Sequence, residues 1–179
     1  MKYLFTAAFS LVFLSGAFAQ KFYTKQASIK FESEAPMETI SAINQQAVSV
    51  LDSETGEMQW SALVKSFRFD KALMQEHFNE NYLESDDYPK AIFTGRLAEN
   101  ISWQTDGQYE VLVRGTLDMH GEQNEVEIPA TIYVRDGVIS ASSAFAVQVA
   151  DYGIKIPKVV KDNVSEQVKI YVQAQYQAL

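Results

Sequence analysis

Two histidines, His77 and His120, are the residues of this chain best suited to proton or metal chemistry. His77 and Glu80 form a His-x-x-Glu pair with helical spacing, so both fall on one helix face. Di-iron bundles use such a pair, but they need two of them and further carboxylates from other helices. Asp86 and Asp87 follow within a few residues and complete a candidate ligand set, although an acidic loop is ordinarily a solvated one. His120 lies two residues after Asp118, and on an extended strand this spacing puts both side chains on one face. A serine nucleophile on a tight elbow is absent, because the sequence contains no Gly-x-Ser-x-Gly. The residue types favour a turn histidine at position 120, bonded to backbone, and a structural or surface histidine at position 77. No pair of carboxylates is singled out for glycoside chemistry, and the eight glycines are scattered with no phosphate-cradling loop.

Composition removes other classes. There is no cysteine, so thiolate chemistry, thiolate metal sites and disulfides are excluded. The formal charge of −8 makes nucleic acid a poor partner. With 179 residues, 47% hydrophobic, the chain is long enough to hold one core without staples.

The first residues read as a leader. Lys2 precedes the apolar run "YLFTAAFSLVFLSGAF", which is too short for a confident membrane span. Ala17-Phe18-Ala19 has the small-x-small form of a signal-peptidase site, with cleavage before Gln20. The expected organisation is a signal peptide over 1–19 and one domain over 20–179, exported to the periplasm or secreted.

From Lys21 onward the pattern is alternation with period two. "MQWSALV" puts Met58, Trp60, Ala62 and Val64 on one face. "SFRF" puts Phe67 and Phe69 on the other, which calls for a bend near Lys65–Ser66. "YEVLVRGTLDM" aligns Tyr109, Val111, Val113, Gly115, Leu117 and Met119. Later runs align Ile128 with Ile132, Ala141 with Phe145, and Ile170 with Tyr176. Turn signals separate the runs, among them Asp106-Gly107 and Asp136-Gly137, which read as hairpins. One stretch departs from the pattern. Met74, Phe78 and Tyr82 recur every four residues, predicting a short amphipathic helix from Lys71 to about Tyr82 with Asp70 as its N-cap. Tyr88-Pro89 ends it.

About eight alternating strands around one helix predict an all-β, lipocalin-like antiparallel barrel, since closure leaves no edges. Its apolar face reads equally as a packed core or as the wall of a ligand cavity, for which Gly115, Ala141, Ser143 and Ala174 would leave room. An outer-membrane barrel shows similar alternation. The helical insertion and the spread of aromatics along the strands argue against an integral membrane protein.

Several stretches together resemble the YceI-like family of exported bacterial lipid and polyisoprenoid binders. They are His77-Phe78, Tyr88-Pro89 with Phe93, Gly115 through Leu117 to His120-Gly121, and Asp151-Tyr152-Gly153-Ile154. The match spans most of the chain after the leader. It departs from the family where Glu122, Gln123, Asn124 and Glu125 replace an often basic region, and the segment from Phe22 to Leu51 matches in pattern only. The resemblance implies an eight-stranded barrel with a central tunnel for an isoprenoid tail, no enzyme activity and no cofactor, with some members pairing as homodimers. The expected function is to bind and sequester or transport a long apolar lipid, a polyisoprenoid or isoprenoid quinone. The expected ligand-binding residues are Phe67, Phe69, Phe78, Tyr82, Phe93, Val111, Val113, Leu117, Phe145 and Tyr152. A packed scaffold and a barrel enzyme using His77 or His120 are the alternatives.

Overall fold

A computed structural model describes residues 21–179. The leader expected over residues 1–19 lies outside the described residues. The alternating runs form long antiparallel strands: β1 (Lys21–Glu34), β2 (Thr39–Asp52), β3 (Glu57–Leu63), β5 (Lys90–Leu97), β6 (Gly107–Met119), β7 (Glu122–Arg135), β8 (Val138–Gln148) and β9 (Gln167–Ala178). A two-residue strand, β4 (Arg68–Phe69), lies between β3 and β5 in sequence. Neighbours run β1-β9-β8-β7-β6-β5-β3-β2-β4, and β1 also pairs with β2. That last pairing closes eight long strands into a barrel, with β4 as a short addition to β2 at Ala42–Ile43.

The bend predicted near Lys65–Ser66 is a 3-10 turn over Val64–Ser66. It shifts the phase of the chain, so Phe67 and Phe69 line the same cavity as Trp60, Ala62 and Val64. Beside it, Asn44 is fully buried where the partner of β2 changes from β3 to β4. Its Nδ2 donates to the carbonyl of Leu63 (3.0 Å) and its Oδ1 accepts from the Gln46 N–H (2.8 Å). Backbone groups that lose a ladder partner inside a protein need another, and Asn44 supplies one.

Two hairpins use two-residue turns with positive φ at both centres: His120-Gly121 (55° and 79°) and Asp136-Gly137 (51° and 76°). The hairpin expected at Asp106-Gly107 joins β5 to β6, but not through a two-residue turn. Gly107 opens β6 at the end of a longer connection, residues 98–106, and Asp106 Oδ1 accepts from the Asp136 N–H (3.0 Å). This connection packs Ile101 and Trp103 against the core at one end of the barrel.

The helix is α1 (Ala72–His77), continued by a π-type turn over Phe78–Tyr82. Asp70 is not its cap. Lys71 occupies that position without a side-chain cap bond. The Phe69 N–H instead bonds Gln75 Oε1 (3.4 Å), tying the helix to β4. The turn ends with the Leu83 N–H on the Phe78 carbonyl (2.9 Å), and Glu84 follows at φ 42°.

Gly95 and Gly115 face each other across β5 and β6. A Cβ at Gly115 would lie 2.3 Å from the Thr94 carbonyl oxygen, 2.5 Å from Gly95 Cα and 2.9 Å from the Phe93 ring. The space expected to be open at Gly115 is therefore filled by Phe93, whose ring lies along the wall over both glycines. Replacing a glycine that an aromatic covers in this way removes the packing that pins the register. Gly115→Ala is expected to lower stability by about 1–3 kcal/mol, because backbone atoms must move. The urea midpoint of the variant against the parent chain measures it.

Candidate functional site

Period two in a closed sheet sends alternate side chains into one interior. Here that interior is hollow. It encloses a cavity of about 460 Å³, within the range of sites that hold drug-sized ligands. Ala141 and Ser143 stand on its wall, whereas Ala174 is buried outside it.

The deep part is bounded by Leu51, Trp60, Ile132, Ile139 and Tyr176. The Tyr176 hydroxyl and Ser49 Oγ lie 2.9 Å apart, both residues buried. Trp60 meets the Tyr176 ring edge-on, with centroids 6.4 Å apart. Val113, Leu117, Phe93, Phe145, Ile170 and Val172 form the middle of the wall.

The other end is the mouth. Four rings meet there, from two strands, a turn and the helical segment. Phe31 of β1 stacks on Phe78 at 5.4 Å and approaches Phe67 and Phe69 at 5.6 and 5.7 Å. Phe78 lies 5.0 Å from Phe69 and 5.8 Å from Phe67. Aromatic pairs at such distances contribute about 0.5–1.5 kcal/mol each beyond their buried area, so this cluster fastens the helix across the barrel. Polar lining gathers at the same end: Ser33, Glu38, His77, Asn163 and Ser165. Lys71 bonds Glu38 at 2.8 Å, and Ser33 Oγ accepts from the Ser165 N–H at 2.9 Å. His77 is exposed, so the cavity meets solvent here.

Eight of the ten expected ligand-binding residues stand on this wall: Phe67, Phe69, Phe78, Tyr82, Phe93, Val113, Leu117 and Phe145. Val111 and Tyr152 are buried at 5% and 2% exposure but line no part of it. Val111 is one inward position nearer the closed end than Val113. Tyr152 sits in a 3-10 turn, Val149–Tyr152, beyond the end of β8. Wall residues absent from that set include Phe31, Trp60 and Ile170, which alternation in their strands already pointed inward. Ile156 and Val160 lie in the β8–β9 connection and carry no periodic signal.

The histidine constellations do not assemble. Among the described residues, no cluster of three or more His, Asp or Glu is arranged to hold a metal. Asp86 pairs with Lys65. Asp118 accepts from the Gln123 side chain (2.8 Å) and not from His120. His120 instead joins three segments. Its Nδ1 donates to the Tyr152 carbonyl (2.8 Å), its Nε2 meets the Glu84 carboxylate (3.1 Å), and its ring packs on Tyr88 at 4.7 Å. Gly153 then turns the chain at φ 69°, and Asn124 Nδ2 donates to the Asp151 carbonyl (2.8 Å). Motifs far apart in sequence thus form one structural junction beside the mouth.

Two predictions follow from these buried groups. His120→Ala removes the donor to the Tyr152 carbonyl and is expected to cost about 1–3 kcal/mol. Hydrogen exchange should quicken around residues 84–88 and 149–153 while the far end of the barrel stays protected. Burial pushes the Tyr176 hydroxyl up to about 12, and burial likewise raises Tyr152. Both groups hold their protons more tightly folded than unfolded. The contribution of Tyr176 is complete below the ordinary tyrosine value near 10 and is lost as pH climbs towards about 12, and that of Tyr152 is lost in the same direction. An alkaline titration followed by tyrosinate absorbance and circular dichroism should show ionisation of Tyr176 coinciding with loss of the fold. Ionisation of Tyr176 while the fold persists would contradict it.

The model of the YceI-like domain matches residues 9–176. No curated protein matches the chain. Among solved structures, a polyisoprenoid-binding domain from Saccharophagus degradans implicated in plant cell wall breakdown superposes with a TM-score of 0.76 at 15% identity, covering 90% of this chain and 99% of that one. Burkholderia cenocepacia BcnA gives 0.71 at 14% identity, covering 84% and 96%. The Campylobacter jejuni YceI protein gives 0.56 at 13% identity, covering 95% and 91%. These likenesses are of fold, and the domain match spans nearly the whole length: the chain belongs to the YceI-like family.

Proposed function

We propose that this protein binds a long apolar lipid, a polyisoprenoid or isoprenoid quinone, inside its barrel and sequesters or carries it through an aqueous compartment. The observation that carries the reading is the cavity itself. Its wall is almost wholly hydrocarbon, and the one carboxylate and one histidine that line it among the described residues, Glu38 and His77, stand at the mouth. Each CH₂ taken from water into such a space contributes about 0.8 kcal/mol, so an apolar tail supplies most of the affinity. Phe67, Phe69, Phe78, Tyr82, Phe93, Val113, Leu117 and Phe145 would contact the lipid tail, with Val111 packed towards the closed end and Tyr152 supporting the wall from the turn after β8. The polyisoprenoid-binding domain among the structural neighbours supports the same ligand class. The reading is of a binding protein without catalysis, which the YceI-like family match and the polyisoprenoid-binding neighbour support. The leader read at residues 1–19 supports export to the periplasm or beyond.

Native mass spectrometry of the protein purified from its own host, followed by solvent extraction, tests the proposal. An apolar molecule should co-purify and leave on extraction. Ala141→Phe, which projects a ring into the cavity, should retain the fold and cut the bound fraction at least tenfold. Absence of any apolar molecule, with no uptake of added lipid by the extracted protein, would leave a solid scaffold as the better description.

A further inference from the structure

Deep in the apolar cavity two hydroxyls share one hydrogen bond. Tyr176 is 4% exposed and Ser49 is 2% exposed, and their oxygens lie 2.9 Å apart. Each hydroxyl carries one proton, but the pair has only one bond between them. No other hydrogen bond reaches either oxygen among the described residues. One O–H of the pair therefore has no acceptor from the protein, whereas buried hydroxyls ordinarily find one. Tyr176 stands on the cavity wall and Ser49 does not. With Ser49 donating to Tyr176, the proton left over is the phenol's, on a residue that lines the cavity.

We propose that the Tyr176 hydroxyl is a polar subsite near the closed end of the cavity, which takes an acceptor oxygen carried by the bound chain. The favoured ligand is then an apolar chain with one neutral carbonyl or hydroxyl oxygen at the end that enters first. A phosphate does not suit this position, because among the described residues no lysine or arginine lines the cavity to offset its desolvation. A neutral oxygen loses its hydration on entry and regains one bond from Tyr176. A pure hydrocarbon leaves the phenol unmet. This inference rests on the lipid-binding reading above.

The test compares octadecane with hexadecyl methyl ketone, which are similar in length and differ in one carbonyl. Both are titrated into the solvent-extracted chain, into Tyr176→Phe and into Ser49→Ala, with thermal melts to check folding. The ratio of ketone to alkane affinity within one protein is compared with the same ratio in another, which cancels the hydration of the ligands. Tyr176→Phe should lower the ratio about tenfold, the size of one hydrogen bond gained against one left unmade. Ser49→Ala should keep it. The carbonyl stretch of the bound ketone should lie at lower frequency in the parent chain than in Tyr176→Phe. If both ligands bind and Tyr176→Phe changes neither ratio nor stretch, the subsite is wrong and the carrier reading stands. If Ser49→Ala abolishes the preference instead, the donor is misassigned and the proposal fails. If neither ligand binds the parent chain, the subsite and the carrier reading fall together.

Discussion

Closure of the sheet is the constraint on which everything else depends. Pairing β1 with β2 removes both edges and turns a period-two pattern into a division between inside and outside. Once closed, the wall must keep its backbone bonded all the way round. The chain meets that demand with local devices where strands change partners. Asn44 serves the gap between β3 and β4. Near Pro129, which has no N–H to give, the β7–β8 ladder stops at Ala130, and Ser143 Oγ donates to the Pro129 carbonyl (2.6 Å). These polar side chains maintain a shell around a space that contains almost no charge.

A hollow interior is a packing problem as well as a bonding one. Small residues open it, and large rings are laid against its wall. Phe93 lies over Gly95 and Gly115, filling a place where a side chain would stand and leaving the lumen clear. At the mouth the reverse holds. Phe31, Phe67, Phe69 and Phe78 come together from two strands, a turn and a helix, and bridge the opening. Phe78 is where the helix meets the barrel, so the helix acts as part of the wall.

The junction around His120 shows how a residue type associated with catalysis can be structural. A histidine at positive φ in a two-residue turn is unusual backbone. It is held by a carbonyl, a carboxylate and a ring from two other segments. Its bonds link the β6–β7 hairpin to the loop after the helix and to the Gly153 turn. Those segments flank the mouth, so the junction sets where the entrance stands relative to the barrel.

Much of this was legible in the residue order. Alternation depends only on local backbone geometry, so the strands, their inward faces and most of the cavity wall could be read along the chain. The four-residue spacing of Met74, Phe78 and Tyr82 marked the helix for the same reason. Asp70 was misread as the cap, and a two-residue turn was expected of Asp106-Gly107, because such signals give only a residue's preference: Lys71 takes the cap position, and Asp106 Oδ1 is held by the Asp136 N–H from another hairpin. Whether the barrel was full or hollow lay beyond any pattern, since a packed core and a cavity wall have the same periodicity. That depended on where rings such as Phe93 come to rest. It also depended on which distant groups meet: Ser49 with Tyr176, and His120 with Tyr152. The sequence by itself determined which side chains point inward. Only the tertiary structure decided how much room they leave and which hydroxyls meet at its wall, because volume and hydrogen-bond pairing are properties of groups brought together across the whole barrel.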